Sequence, residues 1–223
     1  MGTYAAGNAT KERIKDAARV LFYTQGVSAV SDSVVCREAA VQRGLAGYHF
    51  GNRGGLVAAI YQEYVEALRD TVAKRFPTDD PALAYCILEY LLVDMLRRNR
   101  EMRRFYVEII QFPEVSDEEV RVQHEQLARI LTRGGKRLDT ERLKIAVALS
   151  QGAFNELVRC IEIGYLDDEV DQAIIKDLRI TMLLAGVDEE ERQRLVDATL
   201  ERTRGRRLAI GKAMRPRVIA LRS

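Results

Sequence analysis

The chain has 223 residues, of which 47% are apolar and 30% are charged. This composition is that of a globular protein and excludes extended disorder. The longest apolar stretch, residues 82–96, is interrupted by Glu89 and Asp94, so it is too short and too charged to span a membrane. The three cysteines are odd in number and widely spaced, which excludes a disulfide framework. With no secretory signal apparent at the N-terminus, we expect a cytoplasmic protein.

The net charge of +2 is unevenly distributed along the sequence. Residues 1–60 carry seven Lys or Arg residues and four acidic ones, and residues 201–223 carry eight and one. The part between these two segments is therefore acidic. Such a charge distribution predicts that one of the basic end segments binds a polyanion. Ordinary solvated surface charge would explain the distribution as well.

The first sixty residues predict three helices and the start of a fourth. Apolar residues at helical spacing follow Asn8 or Thr10, either of which can cap the first helix, and Gly26 ends it. Ser31 or Asp32 can cap a short second helix. A third short helix follows, and a glycine-rich turn over residues 51–55 separates it from a long fourth one.

The remainder of the chain also predicts helices, without a convincing strand. The fourth helix extends from Leu56 to the residue before Pro77. Ser116 and Glu119 have the spacing of a capping box at the start of the seventh helix. The later helices are expected over residues 82–98, 100–111, 116–132, 139–164 and 168–186, and from about 188 into the basic tail.

The second and third helices are joined closely enough to form a helix-turn-helix. Residues 39–43 fit its turn, and the N-terminal end of the following helix would enter the major groove of DNA. Arginine can read guanine edges, and glutamine can read adenine edges. We therefore expect base contacts or close backbone approach from Gln42, Arg43, Gly44, Leu45 and Ala46. Contacts to phosphates or the nearby backbone are expected from Thr10, Ser31, Tyr48, His49 and Arg53.

Residues 10–26, 39–44, 48–53 and Leu56 carry a resemblance to a known family, whose members share over the part that corresponds to residues 39–56 a run resembling A-G-V-S-x-G-x-x-Y-x-x-F-x-x-K-x-x-L. This run is similar to that of the DNA-binding domain of the tetracycline-repressor (TetR) family. About fifty residues carry the resemblance. The number and lengths of the later helices also suit the family's regulatory domain.

The sequence departs from the family pattern at five positions, the first being Asp32, which occupies a commonly apolar position of the second helix. Ala40 replaces the usual glycine, Gln42 replaces serine or threonine, and Arg53 replaces lysine. Gly47 stands where the family usually has a phosphate-binding tyrosine. That role would then pass to one of the next two residues, Tyr48 or His49.

The resemblance implies an all-α fold in three parts. A three-helix DNA-binding domain, residues 8–55, is joined by the fourth helix to a regulatory domain, residues 56–205, and a basic tail over 206–223 follows. It further implies a homodimeric transcriptional regulator, usually a repressor, that binds a palindromic operator on double-stranded DNA. A small-molecule effector in the helical domain would release the DNA. No cofactor, metal or membrane partner is implied.

Helices eight and nine resemble the family's dimerisation pair. The expected interface residues are Leu157, Val158, Ile161, Ile174, Leu178 and Met182. The alternative is that these side chains belong to the core of a single chain. An effector pocket is expected among helices four to eight, and its candidate lining residues are Tyr64, Tyr90, Met102, Tyr106, His124, Gln151 and Asn155. Each could instead be an ordinary core or surface residue, and His124 lies in a polar stretch.

Two other functions compete with regulation. An all-helical enzyme is poorly supported, because two histidines cannot supply a metal site unaided and no nucleophile or phosphate-loop motif is present. A DNA binder without sequence preference would need more positive charge and no acidic body. The basic tail can either contact DNA or remain solvated and partly disordered, and we expect the second.

Overall fold

The computed structural model describes residues 2–135, 137–166 and 170–221. These residues form helices throughout and one β-hairpin, which confirms the predicted all-α class and its N-terminal helix-turn-helix. The predicted start of the ninth helix, at residue 168, lies outside the described residues. The elements are α1 Gly2–Gln25, α2 Asp32–Glu38, α3 Leu45–Phe50, α4 Arg53–Arg75, α5 Pro81–Arg98, α6 Arg100–Ile109, α7 Pro113–Leu131, a short 3₁₀ helix Arg133–Gly135, α8 Thr140–Glu162, α9 Val170–Leu184, α10 Glu189–Thr203, β1 Arg206–Ala209 and β2 Arg217–Ala220.

Two predicted helix starts are wrong. The first helix already begins at Gly2, so Thr10 lies inside it and does not cap it. The seventh helix begins at Pro113, whose fixed φ suits the first helical position, and not three residues later. Ser116 donates its hydroxyl to the Pro113 carbonyl at 3.3 Å, so Ser116 and Glu119 form no capping box.

The N-terminal domain packs α1, α2 and α3 against the first turns of α4. Ile14 and Phe22 of α1, Val35 of α2, Ala46 of α3 and Leu56 of α4 are each at most 3% exposed. One helical face of α1 therefore provides the centre of this small core, as its apolar spacing predicts.

Arg53 stabilises the N-terminal domain from within. Its guanidinium forms an ion pair with Asp32 at 2.9 Å and donates to the carbonyls of Val27 and Val30. It also lies 5.3 Å from the centre of the Phe22 ring. These contacts join the loop after α1 and the start of α2 to the start of α4, so this side chain is not free to bind a phosphate as predicted.

The larger domain is built around α5, which contacts α4, α7, α8, α9 and α10. Its residues are buried on nearly every side, as expected for a helix with apolar residues all round. The fourth helix extends from the N-terminal domain into this body, where it packs against α7.

Residues 206–221 of the basic tail form a packed hairpin, and the expectation of a partly disordered segment without strands is wrong for them. Arg206–Ala209 pairs antiparallel with Arg217–Ala220, and the hairpin contacts α4 and α5. Leu208 and Met214 are buried, and the Ile210 carbonyl accepts a hydrogen bond from Asn99 at 3.3 Å. Apolar side chains spaced between the arginines provide this packing, which the high charge of the tail obscures in the sequence.

The predicted dimer residues lie in the core of the single chain. Each is at most 8% exposed without any partner present, so the interface prediction is wrong for this set: Leu157, Val158, Ile161, Ile174, Leu178 and Met182. The α8 and α9 helices each carry a second apolar stripe, and this one faces outward. Periodicity identifies both stripes but does not tell which one packs on the helix's own chain.

We predict that Arg53→Ala lowers the free energy of unfolding by about 2 kcal/mol, because it removes hydrogen bonds from a charged donor to two carbonyls and a carboxylate. Arg43→Ala is the matched control, since Arg43 is exposed, and should change stability by less than about 0.5 kcal/mol. Urea unfolding monitored by circular dichroism measures both. Equal stability of the two variants would contradict the structural role of Arg53.

Candidate nucleic-acid interface and ligand cavity

The turn between α2 and α3 contains two residues with positive φ. Gly44 has φ of 98° and precedes the first residue of α3, and glycine adopts this conformation without strain. Ala40 has φ of 51°, which costs an L-residue about 1 kcal/mol or more. The glycine usual at this position in the family would avoid that strain.

The recognition helix α3 begins later than the sequence suggests. Gln42 and Arg43 precede Leu45, the first residue of the helix, and no side chain caps its start. A serine or threonine at position 42 could accept a hydrogen bond from the first turn, whereas glutamine is not a favoured N-cap. Both long side chains therefore extend from the turn and are exposed to solvent.

The outward surface of this motif is formed by the turn and by Tyr48. The Tyr48 side chain is 81% exposed, and its ring lies 5.1 Å from that of His49. A Cβ atom added at Gly47 would contact nothing within 4 Å, so the surface beside Tyr48 is open. Ala46, in contrast, is 3% exposed, so its side chain faces the core and has no surface to offer a base. Leu45 is half-buried.

The remaining predicted contacts differ in accessibility. Ser31 is exposed and caps α2, with its hydroxyl oxygen accepting from the Val34 amide at 3.4 Å. Thr10 is half-buried on α1. Lys11 was not among the predicted contacts, but its ammonium lies 5.5 Å from the centre of the Phe50 ring and so places a positive charge beside the end of α3. Lys11 is close in sequence to two other basic residues of α1, and this group of charges could have indicated a contact with DNA.

Polar contacts attach the N-terminal domain to α6 and α7. The Ser28 amide donates to the Glu108 carboxylate at 2.9 Å. The Arg104 guanidinium donates to the Tyr23 carbonyl at 2.8 Å. These residues lie on α6 and the segment around the end of α1, so α6 fixes one side of the domain.

A third contact attaches the other side. Asn52 caps α4 by accepting from the Gly55 amide at 2.7 Å, and its amide group donates to Glu114 at 3.0 Å. Glu114 lies in the first turn of α7 and is packed so closely against Gly54 that a Cβ there would clash with its carboxylate. The orientation of the N-terminal domain therefore depends on where α6 and α7 lie.

A cavity lies among α4, α5, α6, α7 and α8. Four of the seven predicted ligand residues line it: Tyr64, Met102, Tyr106 and Gln151. Asn155 is outside the lining but accepts a hydrogen bond from the Tyr106 hydroxyl at 2.5 Å. Two predictions fail: Tyr90 is half-buried on α5 away from the cavity, and His124 is exposed on α7.

Glu119 is at the centre of a buried hydrogen-bond network on the cavity wall. It is 4% exposed, and it accepts from the Tyr61 hydroxyl at 2.9 Å and from the Gln151 amide at 3.1 Å. Burial raises the pKa of this carboxyl, while the hydrogen bonds lower it. Glu119 was predicted to be part of a helix cap and was not among the predicted cavity residues.

Two further groups in the cavity have no hydrogen bond to any of the described residues. The Tyr64 hydroxyl is buried and makes no hydrogen bond. Glu89 of α5 is 9% exposed, and burial, with the nearby Asp177 as a smaller cause, raises its pKa to about 8. In the sequence, Glu89 interrupts the longest apolar stretch, and an acid at such a position could have been predicted to be buried.

The described residues contain no cluster of three or more His, Cys, Asp or Glu side chains arranged to hold a metal ion. Within those same residues, no helix is long and apolar enough to cross a bilayer.

We predict opposite effects of removing two neighbouring hydroxyls of the cavity. Tyr64→Phe should raise the free energy of unfolding by about 1 kcal/mol, because it removes a buried hydroxyl without a partner. Tyr61→Phe should lower it by about 2 kcal/mol, because Glu119 then loses a charged hydrogen bond. Chemical denaturation of the unliganded protein measures both changes. A loss of stability in Tyr64→Phe as large as that in Tyr61→Phe would show that the Tyr64 hydroxyl has a partner.

Comparisons with known proteins agree with this arrangement. Residues 14–60 match the family described as bacterial regulatory proteins, tetR family. No curated protein sequence matches the chain. Among solved structures, RolR in complex with resorcinol is 17% identical, with a TM-score of 0.67 over 86% of this chain and 95% of that one.

Two further regulators share the fold. SmeT, the repressor of the Stenotrophomonas maltophilia multidrug efflux pump SmeDEF, is 18% identical, with a TM-score of 0.57 over 78% of this chain and 88% of its own. TylP, a TetR regulator from Streptomyces fradiae, is 16% identical, with a TM-score of 0.55 over 90% and 94%. The family consists of transcriptional regulators rather than enzymes. The N-terminal domain of this chain thus matches the tetR family of bacterial regulatory proteins over residues 14–60, and the chain shares its fold with solved regulators of that kind.

Proposed function

We propose that the protein is a homodimeric repressor that binds a palindromic operator in the cytoplasm and releases it when a small molecule occupies the cavity. The observation that carries this proposal is the exposed turn and recognition helix on a domain held by the same helices that line the cavity. The three parts of the proposal concern the DNA, the dimer and the effector.

The DNA would be read by the turn before α3. Gln42 and Arg43 are exposed there, and Gly44 allows the backbone to approach a base pair closely. Tyr48, the most exposed aromatic side chain of the motif, would bind phosphate through its hydroxyl, with Lys11 beside it. The buried Ala46 and the internally bonded Arg53 are not part of the proposed contact surface.

The dimer would form through the outward stripe of α8 and α9. Ile145 and Leu149 of α8 are 56% and 54% exposed, and Ile180 and Leu183 of α9 are 48% and 54% exposed. The two helices pack against each other, so these four side chains belong to one apolar face. A second copy would cover this face as a four-helix bundle around a twofold axis, which matches the symmetry of a palindrome.

The effector would act through α6 and α7. Met102 and Tyr106 of α6 line the cavity, while Arg104 and Glu108 of the same helix hold the N-terminal domain. A ligand that shifts α6 therefore changes the spacing of the two recognition helices. The ligand must bind the DNA-incompetent arrangement more tightly, or nothing is released. RolR and SmeT have been solved with resorcinol and with triclosan, which supports a small organic effector here.

We predict that selection from a random duplex pool yields an inverted repeat, and that Arg43→Ala weakens binding to it by about 1–3 kcal/mol while relaxing the preference at one base pair of each half-site. Lys74→Ala is the control, because Lys74 lies exposed at the far end of α4, and it should bind as the unmodified protein does. Fluorescence anisotropy on selected and random duplexes measures both variants. An equal loss on the two duplexes would remove the base-reading role of Arg43, and a pool without a consensus would contradict the proposed function.

A further inference from the structure

Glu89 is a buried acid without a partner on the cavity wall. It lies in the middle of α5, lines the cavity and is 9% exposed. Within the described residues, its carboxylate accepts no hydrogen bond, and no cation lies within ion-pairing distance. A buried carboxylate is normally paired or hydrogen-bonded, so its position calls for a binding partner.

The charges around Glu89 are mostly negative. Glu119 of α7 and Asp177 of α9 both act on it, and burial raises the pKa of Asp177 to about 7. Arg69 of α4 provides the opposing positive charge, but it is also attracted by Glu125. Two carboxyl groups, those of Glu89 and Glu119, therefore line a space in which the half-buried guanidinium of Arg69 is the opposing charge, while Asp177 acts on Glu89 from outside the lining.

The walls of the same space are aromatic. The tyrosines that line it are Tyr61, Tyr64, Tyr85 and Tyr106. The faces of aromatic rings attract cations, and the effect strengthens where water is excluded. The Tyr64 hydroxyl has no partner and can accept a hydrogen bond from a ligand.

We propose that the effector is an organic cation, with an ammonium group that pairs with Glu89 and an apolar body held among the four tyrosines. This inference rests on the proposed function, because it assigns the ligand class of the same cavity. An uncharged ligand would fill the apolar space but would leave the Glu89 carboxyl in its protonated form, without an ion pair.

The pairing has a consequence for pH. Because the pKa of Glu89 is raised to about 8, the carboxyl holds a proton at pH 7 in the empty protein. A cation favours the ionised form, so its binding displaces that proton. Affinity for the cation should therefore rise with pH from 6 to 8 and level off above 8. An uncharged ligand should show no such rise.

The test compares two probes of similar shape, the 2-phenylethylammonium ion and uncharged 2-phenylethanol. Isothermal titration calorimetry of the full chain in two buffers of different ionisation enthalpy gives affinity and proton release together. We expect the ammonium ion to bind at least tenfold more tightly at pH 7.5 and to release close to one proton at pH 7. Equal affinities, absence of ammonium binding or absence of proton release would overturn the proposal.

Two variants locate the effect. Glu89→Gln keeps the shape of the side chain and should abolish both the preference for the ammonium ion and the proton release, with binding of 2-phenylethanol retained. Glu101→Gln on the exposed surface of α6 is the matched control and should change neither. Tyr64→Phe keeps the ring and should weaken ammonium binding a few-fold. Retained preference in Glu89→Gln would assign the cation to another group and overturn the proposal.

The outcome is separable from that of the proposed function, because these titrations contain no DNA. Failure to select an inverted repeat would reject the operator-binding function and leave cation binding intact. Failure of the cation to bind, with operator binding retained, would reject only the ligand class.

Discussion

The attachment of the N-terminal domain to α6 and α7 is the constraint on which the rest of the structure depends. Ser28 donates to Glu108, Tyr23 accepts from Arg104, and Asn52 donates to Glu114. Each contact joins a loop or helix end of the small domain to a helix of the body. A recognition helix of six residues has little stability of its own, so its direction is set by what holds its domain.

These contacts also connect the N-terminal domain to the cavity, because α6 and α7 form two of the cavity walls. Tyr106 and Glu119 belong to the polar network around the cavity, within one or two helical turns of Glu108 and Glu114. The network is buried and well satisfied, so it has few alternative arrangements. Glu89 and Tyr64 are the exceptions, since both line the cavity and neither forms a hydrogen bond within the described part of the chain. The least satisfied part of the body is thus the part where a ligand can act.

Much of the fold followed from the sequence, because apolar spacing and helix-ending residues are local signals. The helix-turn-helix and the long fourth helix were predicted correctly from such signals and from the family resemblance, and four of the residues predicted to bind a ligand line the cavity. The errors arose where a local pattern has two possible partners. The apolar stripe with Leu157 packs on its own chain and the stripe with Leu149 faces outward, although both have helical spacing. Arg53 has the residue type of a phosphate contact, and Glu119 has that of a helix cap. Each instead forms hydrogen bonds with side chains that are distant in the sequence.

The most direct test of this account is a distance measurement between the two small domains by pulsed electron paramagnetic resonance, with a spin label at Glu38→Cys beside the turn and Cys160 replaced by serine. The account predicts one narrow distance in the operator-bound dimer, a broad distribution when Glu108→Ala removes a contact to α6, and no dipolar signal in Leu149→Arg. A narrow distance that persists in Glu108→Ala, or a dipolar signal that persists in Leu149→Arg, would contradict it.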